Sequence, residues 1–392
     1  MTPAARVQAA IEILDAVIAS ARDDGPPADS IVTHYFKARR YAGSKDRRAV
    51  RDLVFRAIRQ SGERPVSGRA AMIGIAASDI ELPPLFDGSP LGPAPIAVDE
   101  AGADPSLLPA WIESELSPLV TPNEWPALLE RAPLDLRVNV ARTSRDAMLG
   151  AFEGSVETPL SPWGIRMPAD SRVEQHAAYV DGLVEVQDEG SQLIALACET
   201  QRAMRIVDLC AGAGGKALAL AAAAPEAEIL ACDTNRARLS KLGPRAERAG
   251  AKIETRLIDG GREAQQMADW NDRADIVLVD APCSGSGTWR RNPEGRWRLT
   301  PERIRRVAAL QARLLDIAAP LVKPGGTLVY AVCSILQREG AAQAEAFLGR
   351  HSSWAMQDAL ASFGRKDGSG RLLTPHHDGT DGFFVARFRR SC

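Results

Sequence analysis

The fold is indicated by one short stretch, Ile276-Val277-Leu278-Val279-Asp280-Ala281-Pro282-Cys283. Its first four residues form an unbroken apolar run, which is typical of strands that are buried on both faces of a parallel sheet. The chain then leaves the sheet at Asp280, turns at Pro282 and presents a carboxylate and a thiol. Ligands bind at the carboxyl edge of the strands in open α/β sheets, so the stretch predicts a fold and a site together.

A second apolar run ends in the same way. Residues 327–332 read Thr-Leu-Val-Tyr-Ala-Val and are followed directly by Cys333. A single cysteine at the end of a strand is usually a small core residue. Two such cysteines at strand tips, with Asp280 beside one of them, indicate a chemical site instead.

Strand and helix patterns alternate from Arg205 onward, which predicts a doubly wound parallel sheet. A last apolar strand is predicted at 382–388. Strands are predicted at 205–210, 228–232, 252–257, 275–280 and 326–332, and helices at about 215–224, 235–250, 301–319 and 337–349.

Upstream of this region the composition changes twice. Amphipathic patterns predict helices at 4–22, 28–40 and 45–61, and short strands and a helix between 134 and 167 predict a small α+β module. From Lys37 to Arg69 the chain holds 11 Lys and Arg but 3 acidic residues, which suggests either a solvated helical face or a surface for a phosphate backbone. The next segment, to Glu130, is acidic and rich in proline. The predicted division is 1–77 helical, 78–104 linker, 105–180 α+β module and 181–392 catalytic domain.

Composition narrows the class of protein. The 392 residues carry a net charge of -2 and are 45% hydrophobic, as in ordinary globular proteins. The six cysteines form no CxxC pair and no zinc-ligand spacing, so we expect a reduced, cytoplasmic protein without a metal. We find neither a secretory signal pattern nor an apolar span long enough for a membrane.

A glycine-rich loop, Asp208-Leu-Cys-Ala-Gly-Ala-Gly-Gly-Lys216, leaves the first strand of the alternating region. It is followed by acids at the ends of the next two strands, Asp233 and Asp259. The loop lacks the hydroxyl of a Walker A motif, and its third glycine is displaced from the dinucleotide-binding pattern. S-adenosylmethionine has no phosphates and needs a close backbone approach and an acid for its ribose, so it fits best.

The paired thiols suit one reaction in particular. A thiolate that adds to C6 of cytosine turns the ring into an enamine, whose C5 can attack a sulfonium methyl group. A base must then remove the C5 proton, and a carboxyl group near the ring can stabilise the adduct. Asp280, Cys283 and Cys333 supply this set, although the chemistry alone leaves open which thiol attacks.

An arginine segment follows Cys283. Residues 289–306 contain seven arginines and two tryptophans, which can contact phosphates and stack on unpaired bases. The alternative is the solvated start of a helix at Thr300-Pro301-Glu302. We expect both, with the helix beginning at 301 and the preceding loop facing an unpaired or flipped-out base.

Together these motifs resemble the RsmB (Sun/Fmu) family of RNA 5-methylcytosine methyltransferases. The resemblance covers about 105–392, and residues 4–62 resemble the helical NusB-like RNA-binding domain of that family. It is carried by DLCAGAGGK at 208–216, Asp233, Asp259, DAPCSGSGTWRRNPEGRW at 280–297, YAVCS at 330–334, DGFFVARFRR at 381–390, RVN at 137–139 and VQDEGSQL at 186–193.

The resemblance implies a class I, Rossmann-like methyltransferase domain and a role for each motif residue. Cys333 would be the nucleophile, Cys283 would assist proton removal and product release, and Asp280 would act beside them. The residues implied to bind S-adenosylmethionine are Cys210, Ala211, Gly212, Ala213, Gly214, Gly215, Lys216, Asp233, Asp259 and Asp280.

The sequence therefore predicts an S-adenosylmethionine-dependent RNA cytosine-C5 methyltransferase that acts on 16S ribosomal RNA. We expect a monomer that binds RNA but neither DNA nor membranes. Three alternatives remain: the same chemistry on tRNA, a non-catalytic RNA-binding or assembly factor, and a methyltransferase for protein or small molecules. The two intact thiols argue against the second, and the third leaves the thiol pair and the arginine segment unexplained.

Overall fold

The computed structural model describes residues 1–169, 171–358 and 362–392. The chain forms two compact units, each built from separate stretches of sequence. The first unit contains residues 1–116, 121–130 and 288–301, and the second contains 117–120, 131–287 and 302–392.

The first unit is helical, as the sequence predicts for its N-terminal part. Its apolar core is formed by one face of each helix, and α1 buries Val7, Leu14 and Val17 at helical spacing. The Thr2 hydroxyl accepts a hydrogen bond from the N–H of Ala5 and so caps α1. The helices are α1 (Pro3–Arg22), α2 (Ala28–Lys37), α3 (Ser44–Gln60) and α4 (Gly68–Ala76), of which α4 was not predicted.

This unit takes in more of the chain than composition suggests. Leu82 and Phe86, which lie in the segment predicted as a linker, are buried in the helical core. Residues 288–301 also belong here, although they lie inside the stretch predicted as catalytic domain. Apolar residues spaced among prolines and acids gave no periodic signal, so composition alone could not reveal that they pack.

The second unit begins with a small antiparallel sheet, which matches the predicted α+β architecture. Among the described residues its strand order is β2-β3-β1-β4. Its elements are β1 (Leu134–Val138), α5 (Arg145–Ala151), β2 (Val156–Glu157), β3 (Gly164–Met167), α6 (Ala177–Val180) and β4 (Val184–Val186).

The second unit continues with the predicted alternation of strands and helices. The elements are α7 (Glu189–Leu196), β5 (Arg205–Asp208), α8 (Gly215–Ala223), β6 (Glu228–Asp233), α9 (Arg236–Leu239), α10 (Leu242–Ala249), β7 (Glu254–Leu257), α11 (Glu263–Gln266), β8 (Ala274–Asp280), α12 (Pro301–Ala318, which starts at the last residue of the first unit), β9 (Val322–Val332), α13 (Ala341–Arg350), β10 (Trp354–Gln357), β11 (Arg365–Asp367), β12 (Gly370–Leu373), α14 (Pro375–Asp378) and β13 (Phe383–Arg390). Within the described ranges, no helix combines the length and the apolar character that crossing a membrane requires.

These strands form one large sheet, with the order β11-β12-β13-β9-β8-β5-β6-β7 and β10 paired to β13 in the described chain. The pairs from β9 to β7 are parallel, whereas β13 runs antiparallel to β9. The predicted doubly wound sheet is thus confirmed, with an antiparallel edge added to it. The three-residue and four-residue strands β10 to β12 were not predicted because periodicity cannot be read over so few residues.

Candidate active site

The strand order places a crevice between β5 and β8. β5 pairs with β6 on one side and with β8 on the other, so the helices that follow β5 and β8 lie on opposite faces of the sheet. The carboxyl ends of the two strands at such a switch point are the usual ligand site of open α/β sheets. The predicted loop 210–216 and Asp280 both begin there.

The glycine loop owes its shape to two left-handed residues. Gly212 has φ 58° and Gly214 has φ 85°, a region that side chains other than glycine adopt at a cost. A Cβ atom at Gly214 would overlap the Leu242 side chain, and one at Gly212 would overlap the Arg238 guanidinium. These glycines therefore serve close packing as well as an open approach to the backbone N–H groups at the start of α8.

Asp233 braces this loop. One of its carboxyl oxygens accepts a 2.7 Å hydrogen bond from the N–H of Gly212, and the other accepts a 2.6 Å bond from the N–H of Asn235. Asp259, two residues beyond β7, is exposed and exchanges two hydrogen bonds with Gln266. Both predicted strand-end acids thus lie at the ends of neighbouring parallel strands, at the same edge as the loop.

An ion pair between a buried lysine and a partly exposed aspartate joins the loop to the thiol-bearing strand. Lys216 Nζ lies 2.7 Å from a carboxyl oxygen of Asp280, and the Lys216 side chain is 10% exposed. Burial lowers the pKa of this lysine, but the charge of Asp280 and its hydrogen bond outweigh that effect and raise the pKa above its ordinary value. Lys216 therefore remains an ammonium group beside the thiols.

Asp208 is a site residue that the sequence analysis did not assign. It ends β5, is fully buried, and neither of its carboxyl oxygens meets a side-chain donor in the described chain. Burial, reinforced by the negative charge of Asp280, raises the pKa of Asp208 to about 7 against the opposing charge of Lys216. An acid at the strand's last position, as in β6 and β8, was the signal that could have identified it.

The two predicted thiols lie together. β8 and β9 are parallel neighbours with Asp280 opposite Ala331, which brings the loops after both strands to one edge. The sulfurs of Cys283 and Cys333 are 3.3 Å apart. The hydrogen bond to Cys333, then burial, raise the pKa of the Cys283 thiol well above its ordinary value, and the negative charges of Cys333 and Glu339 add to this. Cys283 therefore holds its proton.

The other cysteines are unsuited to this chemistry. Cys198 and Cys232 are buried, and burial raises the pKa of each thiol to about 12. Burial also raises the pKa of Cys210, at the start of the glycine loop, well above its ordinary range. A thiol must ionise to act as a nucleophile, so these three are excluded from that role.

The prediction that the arginine loop before the helix at 301 faces the substrate is wrong for the two tryptophans and for two of the arginines in that loop. Trp289 and Trp297 are buried in the first unit, and Arg290 and Arg296 are 6% and 1% exposed. Arg296 donates to the backbone carbonyls of Ile58 and Leu107. The several N–H groups of one guanidinium can donate to several carbonyls at the ends of helices and loops. An arginine in this packing role cannot be distinguished by sequence from an arginine that contacts phosphate.

The sequence profile of the family described as 16S rRNA methyltransferase RsmB/F matches residues 194–389, which is half of the chain. The chain belongs to the RsmB/F family. Proteins named Ribosomal RNA small subunit methyltransferase B are 37% identical over 291 residues in Salmonella arizonae and 36% identical over 289 residues in Salmonella typhi. Each alignment covers 72% of this chain and 66% of the relative's length.

Solved structures share the fold with this RsmB/F member. The crystal structure of PH0851 has a TM-score of 0.79 and 22% identity, and the match covers 98% of this chain and 99% of that one. NSun6 from Pyrococcus horikoshii, solved with SFG, has a TM-score of 0.61 and 18% identity, with 68% and 93% covered. The large sheet is thus the class I, Rossmann-like methyltransferase fold.

Proposed function

We propose that this protein methylates C5 of a cytosine in RNA, with small-subunit ribosomal RNA as the substrate, through a covalent adduct to Cys333. The observation that carries the proposal is the 3.3 Å separation of two thiols beside the Lys216–Asp280 pair. A single thiol would suffice for a cysteine nucleophile. Two adjacent thiols at one strand edge suit a reaction that needs both a nucleophile and a proton carrier.

The residues at the strand edge fit S-adenosylmethionine as the second substrate. When bound, it supplies an electrophilic methyl group on a sulfonium sulfur. Carboxylates follow the three parallel neighbours β5, β6 and β7, as Asp208, Asp233 and Asp259. Such acceptors favour a ligand with ribose hydroxyls, an ammonium group and a positive sulfur, and they repel the pyrophosphate of a dinucleotide.

The proposed reaction divides the work between the thiols. Cys333, as the thiolate, attacks C6 of the cytosine and forms a carbon–sulfur bond, and C5 then takes the methyl group. Removal of the C5 proton allows the C6–sulfur bond to break and returns the Cys333 thiolate. The Cys283 thiol, adjacent to Cys333, first gives its proton to N3 of the ring as Cys333 attacks, and the resulting thiolate then takes the C5 proton, directly or through one water molecule, while N3 releases its proton to solvent.

The ion pair has a separate part in the proposal. Lys216 and Asp280 lie in hydrogen-bond contact at the carboxyl end of β8, three residues before Cys283. The ammonium group stabilises the negative charge of a nearby thiolate, and the carboxylate can accept a hydrogen bond from the amino group of a cytosine. This arrangement supports a pyrimidine with an exocyclic amine as the target.

The chemistry is tested by exchanging each thiol separately. Cys333→Ala can form no adduct and should methylate nothing. Cys283→Ala keeps the nucleophile, so it should transfer the methyl group and then accumulate an enzyme–RNA complex that survives denaturing electrophoresis and disappears under RNase. The double variant should trap nothing. Trapping in Cys333→Ala but not in Cys283→Ala would exchange the two roles, and full activity in both variants would refute covalent catalysis.

The RNA target is tested in a deletion strain by bisulfite sequencing of total RNA. One cytosine of 16S ribosomal RNA should lose its protection from bisulfite conversion in the deletion strain. The wild-type gene should restore this protection, whereas the Cys333→Ala gene should not. Loss of protection in a tRNA instead would assign the same chemistry to tRNA. Unchanged protection in all RNA would reject the proposed activity.

A further inference from the structure

Glu339 lies beneath the two thiol-bearing loops and has no part in the mechanism above. It follows Cys333 by six positions, precedes α13, and is completely buried. A buried carboxylate is costly unless hydrogen bonds satisfy its oxygens, so its contacts indicate what it holds in place.

The carboxylate joins the residues that directly follow each cysteine. One of its oxygens accepts a 2.8 Å hydrogen bond from the N–H of Ser284, and the other accepts bonds from the hydroxyls of Ser284 and, at 2.6 Å, Ser334. Ser284 follows Cys283 and Ser334 follows Cys333. A single side chain therefore fixes the backbone on the carboxyl side of both thiols.

Further hydrogen bonds complete this arrangement. The amide of the buried Gln311 donates to Glu339 at 2.9 Å and to the carbonyl of Pro282, the residue before Cys283, at 3.0 Å. The Gly287 N–H donates to the carbonyl of Cys333 at 3.0 Å. The loop after β8 is thus anchored before its cysteine by the Gln311 amide and after it by the Glu339 carboxylate, which also holds the loop after β9.

We propose that Glu339 is a positioning residue that holds the Cys283 thiol against Cys333 for proton removal from C5. The proposal rests on the proposed covalent function. Glu339 reaches the reaction through the two loops, because its oxygens are occupied by serine and glutamine donors. Its negative charge also helps to keep Cys283 in the thiol form, together with Cys333 and against the N–H of Gly285.

This role predicts a specific phenotype in a chain that keeps both cysteines. Glu339→Ala releases the Cys283 loop, whereas the Cys333 loop loses one contact but keeps the hydrogen bonds of the Ser334 hydroxyl with Ser286 and Leu336, and the glycine loop is not touched. The variant should accumulate the denaturation-resistant RNA adduct about tenfold above wild type, as Cys283→Ala does, because the loss of hydrogen bonds to a charged group is worth at least that factor. Its Kd for S-adenosylmethionine should stay within about twofold, since no glycine-loop residue is changed.

Two other variants separate positioning from simple destabilisation. Glu339→Gln keeps the side-chain shape, and the serine hydroxyls can accept from its amide, so it should trap little adduct. Glu189→Gln alters a carboxylate that is equally buried but accepts from the N–H groups of Leu160 and Ser161. It should lower the melting temperature without trapping RNA. Adduct formation by Glu189→Gln, or turnover without adduct in a folded Glu339→Ala, would overturn the proposal.

A measurement without RNA distinguishes this proposal from the proposed function. Iodoacetamide should alkylate Cys283 about tenfold faster in Glu339→Ala than in wild type, since the thiol is freed and loses a repelling charge. Mass spectrometry of the peptide that contains Cys283 reports the rate. An unchanged rate would refute the positioning role even if Cys283→Ala traps RNA, whereas a faster rate with no trapping in Cys283→Ala would refute only the covalent function. If Glu339→Ala does not fold, Ser284→Ala removes one of the same contacts and should show the same changes to a smaller degree.

Discussion

At the scale of single residues, burial and neighbouring groups decide which acids and thiols of the site are neutral and which are charged. Cys283 and Asp208 are both pushed toward their neutral forms, the thiol first by its hydrogen bond to Cys333 and the carboxyl first by burial. Lys216, in contact with Asp280, is held in its charged form. Neighbouring groups of which some are held neutral and others charged are typical of sites of acid–base chemistry.

Asp208 gives a prediction about stability and pH. Its carboxyl is protonated in both folded and unfolded chains below about pH 4, and it ionises only near pH 7 in the folded chain. The unfolded chain therefore loses its proton first, and folding stability falls as the pH rises between these values. Asp208→Asn removes this loss, which is about 4 kcal/mol at most from the 1.36 kcal/mol per pKa unit.

The prediction is tested by the melting temperatures of the wild-type protein and Asp208→Asn, measured without ligand from about pH 4 to above pH 7. The difference between Asp208→Asn and wild type should grow in favour of the variant from pH 4 to 7 and stay constant above. Asp259→Asn, at an exposed acid of the same edge, is the matched control. A constant difference for Asp208→Asn at every pH would mean that its carboxyl ionises normally.

At the scale of elements, the first half of the arginine segment is a structural part of the helical unit. The carboxylate of Glu294 accepts from the N–H of Ala28 at the start of α2, where no side chain of the local sequence caps the helix. Trp297 lies in the helical core, and its indole N–H donates to the carbonyl of Ser61. One distant stretch of sequence thus supplies the helical unit with a capping acid, a core tryptophan and an arginine that binds backbone carbonyls.

Arg296→Ala should therefore impair folding. It leaves the buried carbonyls of Ile58 and Leu107 without a donor and opens a cavity, which together cost about 2–4 kcal/mol. Chemical unfolding, followed by the fluorescence of Trp297 and its neighbours, measures the loss. Arg305→Ala, at an exposed arginine that is paired with Glu302 in α12, is the matched control and should change stability by less than about 0.5 kcal/mol. Equal stability of the two variants would contradict the packing role.

The elements also show how far sequence could lead. The strands that carry the site, β5, β6, β8 and β9, were predicted because each is an apolar run that ends in an acid or a thiol. Roles that depend on contacts between distant stretches could not be predicted. Glu339 pairs with residues 55 positions upstream, and Trp297 packs among helices more than 200 positions before it. No local pattern distinguishes such residues from solvated ones.

At the scale of the whole molecule, a net charge of -2 offers no general attraction for RNA. The proposed binding of RNA must therefore come from local positive patches, and one such patch lies on α2, α3 and the turn between them. Lys37, Arg40, Lys45 and Arg48 are exposed there, and Tyr41 is 75% exposed among them. Exposed cations around an aromatic ring are suited to contact the phosphates and an unpaired base of RNA.

Replacement of Arg40 and Arg48 by Ala should weaken RNA binding and lower its salt dependence. Each lost phosphate contact reduces the slope of log K against log salt by about 0.7–0.9, so the double variant should lose about 1.5. The control replaces Arg22 and Arg202, which are exposed but paired with Asp23 and Glu226. Filter binding at several salt concentrations gives the slopes. Equal slopes for wild type and both double variants would mean that this patch is only solvated.

The helical unit is assembled from stretches that leave the ribosome at different times. Its helices are made first, but Trp297, which completes their core, is synthesised only after the strands β1 to β8 of the second unit. At typical translation rates of about 5–20 residues per second, the interval between residues 130 and 288 lasts about 8–30 s. During that time the nascent helices expose the apolar surface that Trp297 later covers, so the first unit can complete its core only after residues 131–287 of the second unit have been made.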